Sequence, residues 1–208
     1  MADLPPPQPE RSTDPQSALT QIQSKINSIT KEYSAGKLNR TQFYAMYRHY
    51  MERRAIIQKL LERNPESDAW KAAAAPGSTT FLRDRYEART LYWVTFKHGS
   101  QTPLSFDGKL PTNAAKQIHK MLQVIWKMKT ARKGLARKSL GDGMWLLILM
   151  GDDAMTLVVY FLQPSTLQVN ALRDLHNDFE QANATMLARN LSAKRMVFPQ
   201  RALIDEQS

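Results

Sequence analysis

The chain has no cysteine. That absence excludes disulfides, thiolate metal sites and thiol nucleophiles, and it fits a reducing compartment, so a cytoplasmic location is the expectation. Long apolar runs are missing as well. The longest uninterrupted one is the seven residues 144–150, whereas a helix needs about 20 to cross a bilayer. No transmembrane segment is therefore expected. The opening residues MADLPPPQPERSTDPQ have neither the basic start nor the apolar core of a secretory signal, which argues against export.

Catalytic signatures are also absent. The histidines His49, His98, His119 and His176 are scattered, and none shows the spacing of a metal pair or a metalloprotease helix. There is no Gly-x-Ser-x-Gly elbow, no phosphate-cradling loop with Lys and no dinucleotide fingerprint. The reading is of a non-enzyme without cofactor or metal. One sharper possibility is Gly151-Asp152-Asp153 between two apolar runs, because a Gly-Asp-Asp hairpin can hold catalytic Mg²⁺. Two-metal chemistry needs a further carboxylate nearby. Asp142 is separated from it by a strand-length segment of roughly 23 Å at about 3.3 Å per residue, and Asp107 cannot be placed beside it. An ordinary turn is the simpler reading.

Acidic residues are lacking in one long stretch. Between Gly108 and Gly141 stand nine Lys or Arg and no Asp or Glu, in a chain of net charge +10. A one-sign patch attracts an acidic protein, a phosphate backbone or an anionic surface without saying which.

What is present is ordinary globular material: 208 residues, 42% hydrophobic and 23% charged, enough for one domain and a smaller appendage. Residues 1–13 are Pro-rich and nearly devoid of large apolar groups, hence a tail. Asp14-Pro15 reads as an N-cap and first helical position, with Leu19, Ile22, Ile26, Ile29 and Tyr33 following at helical spacing. Gly36 is the C-cap, Asn39 or Thr41 recaps, and Phe43, Tyr47, Tyr50, Ile57, Leu60 and Leu61 mark a second helix ending before Pro65. The region 14–66 is thus an antiparallel helical hairpin. Gly36, Leu38 and Phe43 give it a resemblance to the short helical motif called SHOCT. Two helices bury little, so the hairpin is expected to dock on the main domain, a second copy or another protein.

Residues 67–79 read as a linker broken at Pro76-Gly77. The expected main domain, 80–198, starts with a short helix to Tyr86 capped by Ser78 or Thr79, then strands at 91–96 and 104–106. Pro111, Thr112 and Asn113 start a helix whose Ala114, Ile118, Met121, Leu122, Ile125 and Met128 share one face, with Lys116, Lys120 and Lys127 opposite. Lys129 and Arg132 fall on the apolar stripe. The reading is therefore that packing stops near Met128 and that 129–138 projects as an exposed basic extension with a break at Gly134. Trp126 either packs in the core or joins that surface. Strands follow at 144–150 and 155–162, apolar at nearly every position, so that helices cover both faces or one face meets another subunit. Ser165 and Gln168 form a capping box for a last helix with Leu172, Leu175, Phe179, Ala182 and Met186 as its stripe. A short edge strand at 195–198 and a tail, 199–208, end the chain.

The order strand, strand, helix, strand, strand, helix over 80–190, with Gly141-Asp142-Gly143 opening an apolar strand, resembles the roadblock and longin modules. That resemblance implies an α+β fold with a mainly antiparallel sheet, and a non-enzymatic scaffold that often partners small GTPases. A strand at 195–198 would make the order ferredoxin-like, βαββαβ, instead. The expected function is an interaction module that assembles with itself, as a homo-oligomer, or with an acidic protein. The alternative is a nucleic-acid-binding accessory protein. In both, Lys116, Lys120, Lys127, Lys129, Arg132, Lys133, Arg137 and Lys138 meet the anion. Tyr44, Tyr47 and Tyr50 interleaved with Arg48, Arg53 and Arg54 offer a second stacking surface for nucleic acid, or simply a packed helix with a basic flank.

Overall fold

A computed structural model of the chain describes residues 14–74, 79–128 and 132–205; the expected N-terminal tail, Lys129 and residues 206–208 lie outside them. The fold is α+β, with helices first and a five-stranded antiparallel sheet after them. It divides into two compact units, one ending at Tyr86 and the other beginning at Glu87.

The first unit is built on α1 (Pro15–Ser34) and α2 (Arg40–Arg63). Asp14 caps α1 by accepting the Ser17 N–H at 2.8 Å, with Pro15 in the first helical position. Gly36 takes a left-handed conformation, φ 72°, which suits a residue lacking Cβ and ends the helix. Asn39 then recaps. Its side chain accepts the Gln42 N–H and the Gln42 side chain accepts the Asn39 N–H, both at 2.9 Å, which satisfies two donors that the helix start leaves unpaired. Ala18, Ile22, Ile26 and Ile29 are buried with Met46, Tyr50 and Ile57, and Tyr33 stacks on Phe43 at 4.5 Å.

The segment that composition reads as a linker contains α3 (Trp70–Ala74), whose Trp70 is only 4% exposed within the hairpin's core. The next helix, α4 (Thr80–Arg85), expected at the start of the main domain, is tied to the hairpin instead. Gln42 Nε2 donates to the Arg83 carbonyl at 2.8 Å, Asn39 Nδ2 donates to the Tyr86 carbonyl at 2.7 Å, and Arg83 pairs with Glu32. The hairpin thus finds apolar cover within its own unit.

The second unit holds β1 (Arg89–Lys97), β2 (Pro103–Gly108), α5 (Thr112–Lys127), β3 (Gly134–Gly141), β4 (Met144–Met150), β5 (Ala154–Phe161) and α6 (Thr166–Ala188). The sheet order is β2-β1-β5-β4-β3, every pair antiparallel. Side chains on a strand alternate between faces. Leu147, Leu149 and Val158 therefore pack with Leu172, Phe179 and Leu187 of α6, while Leu146, Ile148, Leu157 and Val159 pack with Ala114, Ile118 and Leu122 of α5. Both faces are covered by the chain's own helices, which is why the central strands carry apolar residues continuously. Trp126 joins the α5-side core, edge-on to Phe96 at 5.9 Å.

The expected basic extension over 129–138 is corrected by β3. From Gly134 onward the backbone pairs with β4, Leu135 opposite Leu149 and Lys138 opposite Leu146. Only Leu140 of this strand is buried, so pairing with a neighbouring backbone, not burial of side chains, holds it in place.

The chain end also differs from expectation. No strand forms at 195–198, because Asn183 of α6 takes the place of a strand partner: its Oδ1 accepts the Val197 N–H at 2.9 Å and its Nδ2 donates to the Val197 carbonyl at 2.7 Å. The ferredoxin-like alternative lapses with that strand. The expected tail forms a 3-10 turn (Pro199–Arg201) and α7 (Ala202–Asp205), with Gln200 fully buried. On α6 the buried stripe runs through His176, Asn183 and Leu187, while Leu175 and Met186 are half-buried and Ala182 is exposed.

Candidate functional site

The basic surface is assembled from α5 and β3. Lys116, Lys120 and Lys127 stand exposed on α5, opposite the buried Ala114, Ile118 and Leu122. Arg132 and Lys133 are exposed just before β3, and Arg137 and Lys138 are exposed within it. Lys129 lies outside the described residues. Among the described members of this set only Lys133 has a carboxylate partner, Asp152. Both side chains of that pair are largely in water, so it contributes little.

Two hydrogen bonds set α5 against β3. Asn113 Nδ2 donates to Asp142 Oδ2 at 2.9 Å, and Gln117 Nε2 donates to the Leu140 carbonyl at 2.9 Å. The helix and the strand therefore run antiparallel. These two bonds tie the first half of α5 to the C-terminal end of β3 and the turn after it. At 3.6 residues per turn, Asn113, Gln117, Lys120, Val124 and Lys127 occupy one narrow arc of the helix. Val124 is 62% exposed there and Met128 is exposed at the helix end. Ala136 and Lys138 share this face of the sheet, since their partners Ile148 and Leu146 pack under α5, whereas Arg137 points to the α6 face with its partner Leu147.

The strand is the part of this surface that sequence reading missed. Its signal is Asp142-Gly143, both with positive φ, 50° and 75°. That dipeptide is the preferred two-residue connection of a hairpin and calls for a strand on each side.

The Gly151-Asp152-Asp153 turn has a structural occupation. Glu180 of α6 accepts the N–H groups of Asp152, Asp153 and Ala154 at 3.2, 2.8 and 2.8 Å. Asp142, bonded to Asn113, lies at the far end of β4. Among the described residues no group of three or more His, Asp or Glu could hold a metal ion.

A polar chain runs inward from Glu180. His176 Nε2 is 3.9 Å from Glu180 Oε1, His176 Nδ1 meets Thr156 Oγ1 at 2.9 Å, and Thr156 Oγ1 meets Thr95 Oγ1 at 3.1 Å. The order hydroxyl, imidazole, carboxylate is that of an activated nucleophile. Thr95, Thr156 and His176 are all buried, so no substrate reaches the hydroxyl, and the chain is a strut between α6 and the sheet. Burial holds the His176 imidazole below its usual pKa of 6.5, against the opposing pull of the Glu180 charge. On α2, Tyr50 is buried and its hydroxyl bonds Thr79, while Tyr44 is exposed beneath Arg40; of the two readings of this segment, a stacking surface and a packed helix with a basic flank, Tyr50 follows the second.

Nothing among the described residues points to catalysis, and no described helix is long and apolar enough to cross a membrane. Comparison with protein-family models, with curated proteins and with solved structures finds no match.

Proposed function

We propose that the chain is a non-enzymatic interaction module that holds an acidic protein on the surface formed by α5 and β3. The observation that carries this reading is the set of exposed cations at Lys116, Lys120, Lys127, Arg132 and Lys138, with Arg137 on the opposite face of the sheet, none with a carboxylate partner among the described residues. Like charges gathered without burial repel one another unless an anion relieves them. The sheet order β2-β1-β5-β4-β3 with one helix on each face supports a roadblock/longin-like module, and that resemblance supplies the partner class to test first, a small GTPase. A phosphate backbone could use the same cations. Among the described residues this face exposes Val124 and Met128 as its large apolar groups and no large aromatic for the stacking that strengthens single-strand binding.

The test is affinity purification of the full chain and of a Lys116→Glu, Lys120→Glu, Lys127→Glu variant from the native host, with and without nuclease, followed by mass spectrometry. An acidic protein recovered after nuclease treatment and lost with the variant is the expected result. Recovery that disappears with nuclease would transfer the surface to nucleic acid. A partner retained equally by the variant would remove the surface from the function.

A further inference from the structure

We infer that the outer edge of β3 is a strand-addition site for an extended, acidic segment of the partner protein, a reading that rests on the acidic-partner function above and specifies how that partner is held. The two edges of the sheet are managed differently. β2 starts at Pro103, has six residues and brings its Gly108 end against Ile204 of α7, whose Cδ1 lies 2.8 Å from where a Cβ on Gly108 would stand. Proline, shortness and cover are the usual ways to blunt an edge. β3 has eight residues, no proline, and among the described residues pairs only with β4. Every second residue of it directs its N–H and C=O away from β4.

Charge selects the occupant. Arg137 and Lys138 lie in the middle of the strand, with Arg132 and Lys133 before it. A second copy paired edge to edge about the strand centre would set these cations against their equivalents, and like charges directly opposite destabilise a pair of strands. An incoming segment with two consecutive carboxylates does the reverse. One carboxylate faces Lys138 on the α5 side and the next faces Arg137 on the α6 side, since successive side chains alternate between faces. Backbone pairing supplies affinity and the alternating side chains supply selection, as in other strand-addition sites.

The experiment measures anisotropy of a fluorescein-labelled peptide of about ten residues, rich in Val and Thr with Glu-Glu at its centre, against the full chain. Two further peptides carry N-methyl groups on alternate residues, one in each register, and oligothymidylate serves as a nucleic-acid probe. Strand addition predicts binding of the parent peptide, a loss of about tenfold or more on methylation in one register, and little change in the other. Arg137→Glu with Lys138→Glu should weaken the parent peptide by a similar factor. The methylation comparison uses the unaltered chain and stands whether or not the variants fold. Equal binding of both methylated peptides would overturn strand addition and leave the acidic-partner function in place. Failure of every acidic peptide while oligothymidylate binds would overturn both.

Discussion

Gly151 leaves open the space that the Glu180 carboxylate fills: a Cβ on residue 151 would stand 2.3 Å from each carboxylate oxygen. The carboxylate needs that space to reach the three N–H groups of the turn between β4 and β5.

Each residue should therefore be costly to replace only while the other is present. Glu180→Ala forfeits charge-assisted bonds and is expected to destabilise by about 2–3 kcal/mol. Gly151→Ala displaces the carboxylate and should cost a similar amount. The double variant should lose clearly less than the sum, because the second change removes what the first had already broken. Denaturant unfolding of the four proteins measures the coupling. Strict additivity would mean that the clasp does not hold the turn.

His176 gives the second unit a defined response to acid. Its imidazole is held below the usual value of 6.5, chiefly by burial. As pH falls through about 6.5 the unfolded chain takes up this proton first, so the unfolded state binds more protons and stability falls with pH. The loss levels off once the folded imidazole also protonates. Replacement by Gln removes this contribution, and the stability gap between wild type and His176→Gln should narrow on acidification. A gap that widened would assign the protonated form to the folded state.

Gln200 is fully buried, and neither its amide nitrogen nor its amide oxygen has a partner among the described residues. Burying unpaired polar atoms costs free energy that an apolar side chain of similar length avoids. Gln200→Met is expected to stabilise by about 1 kcal/mol, read as a higher unfolding midpoint. Destabilisation would show that the amide is satisfied in solution.

Asn39 serves both as the α2 cap and as a tie to the Tyr86 carbonyl. Asn39→Ala should cost about 1–2 kcal/mol. Asn39→Asp keeps the accepting oxygen but removes the donor to Tyr86, so its loss should be intermediate. If Asp and Ala variants were equally destabilised, the cap would contribute little.

Legibility followed the range of the interaction. The α1 start at Asp14-Pro15, the Gly36 end, the Asn39 and Ser165 capping boxes and the apolar strands are written in residues a few places apart, and the structure has each of them. The sequence of β3 reads as a projecting arm because Gly134–Gly141 shows no clear alternation: Leu135 and Leu140 fall on opposite faces, with a register shift between Ser139 and Gly141. The apolar pattern of α6 omits His176 and Asn183, because polarity argues for the surface. Their buried partners, Thr156 on β5 and the backbone of Val197, are distant in sequence.

By itself, then, the sequence determined the helix caps, the fold class, the doubly covered central strands and the gathering of cations between Gly108 and Gly141. Those follow from local backbone preferences, from periodic burial and from composition. Tertiary structure decided that the end of the cationic stretch, from Gly134 onward, becomes an edge strand, that α4 belongs with the hairpin, and that Asn183 replaces a strand at the chain end. Each of these depends on a hydrogen-bonding partner brought near only by folding, and a one-dimensional pattern carries no record of which backbone will stand alongside.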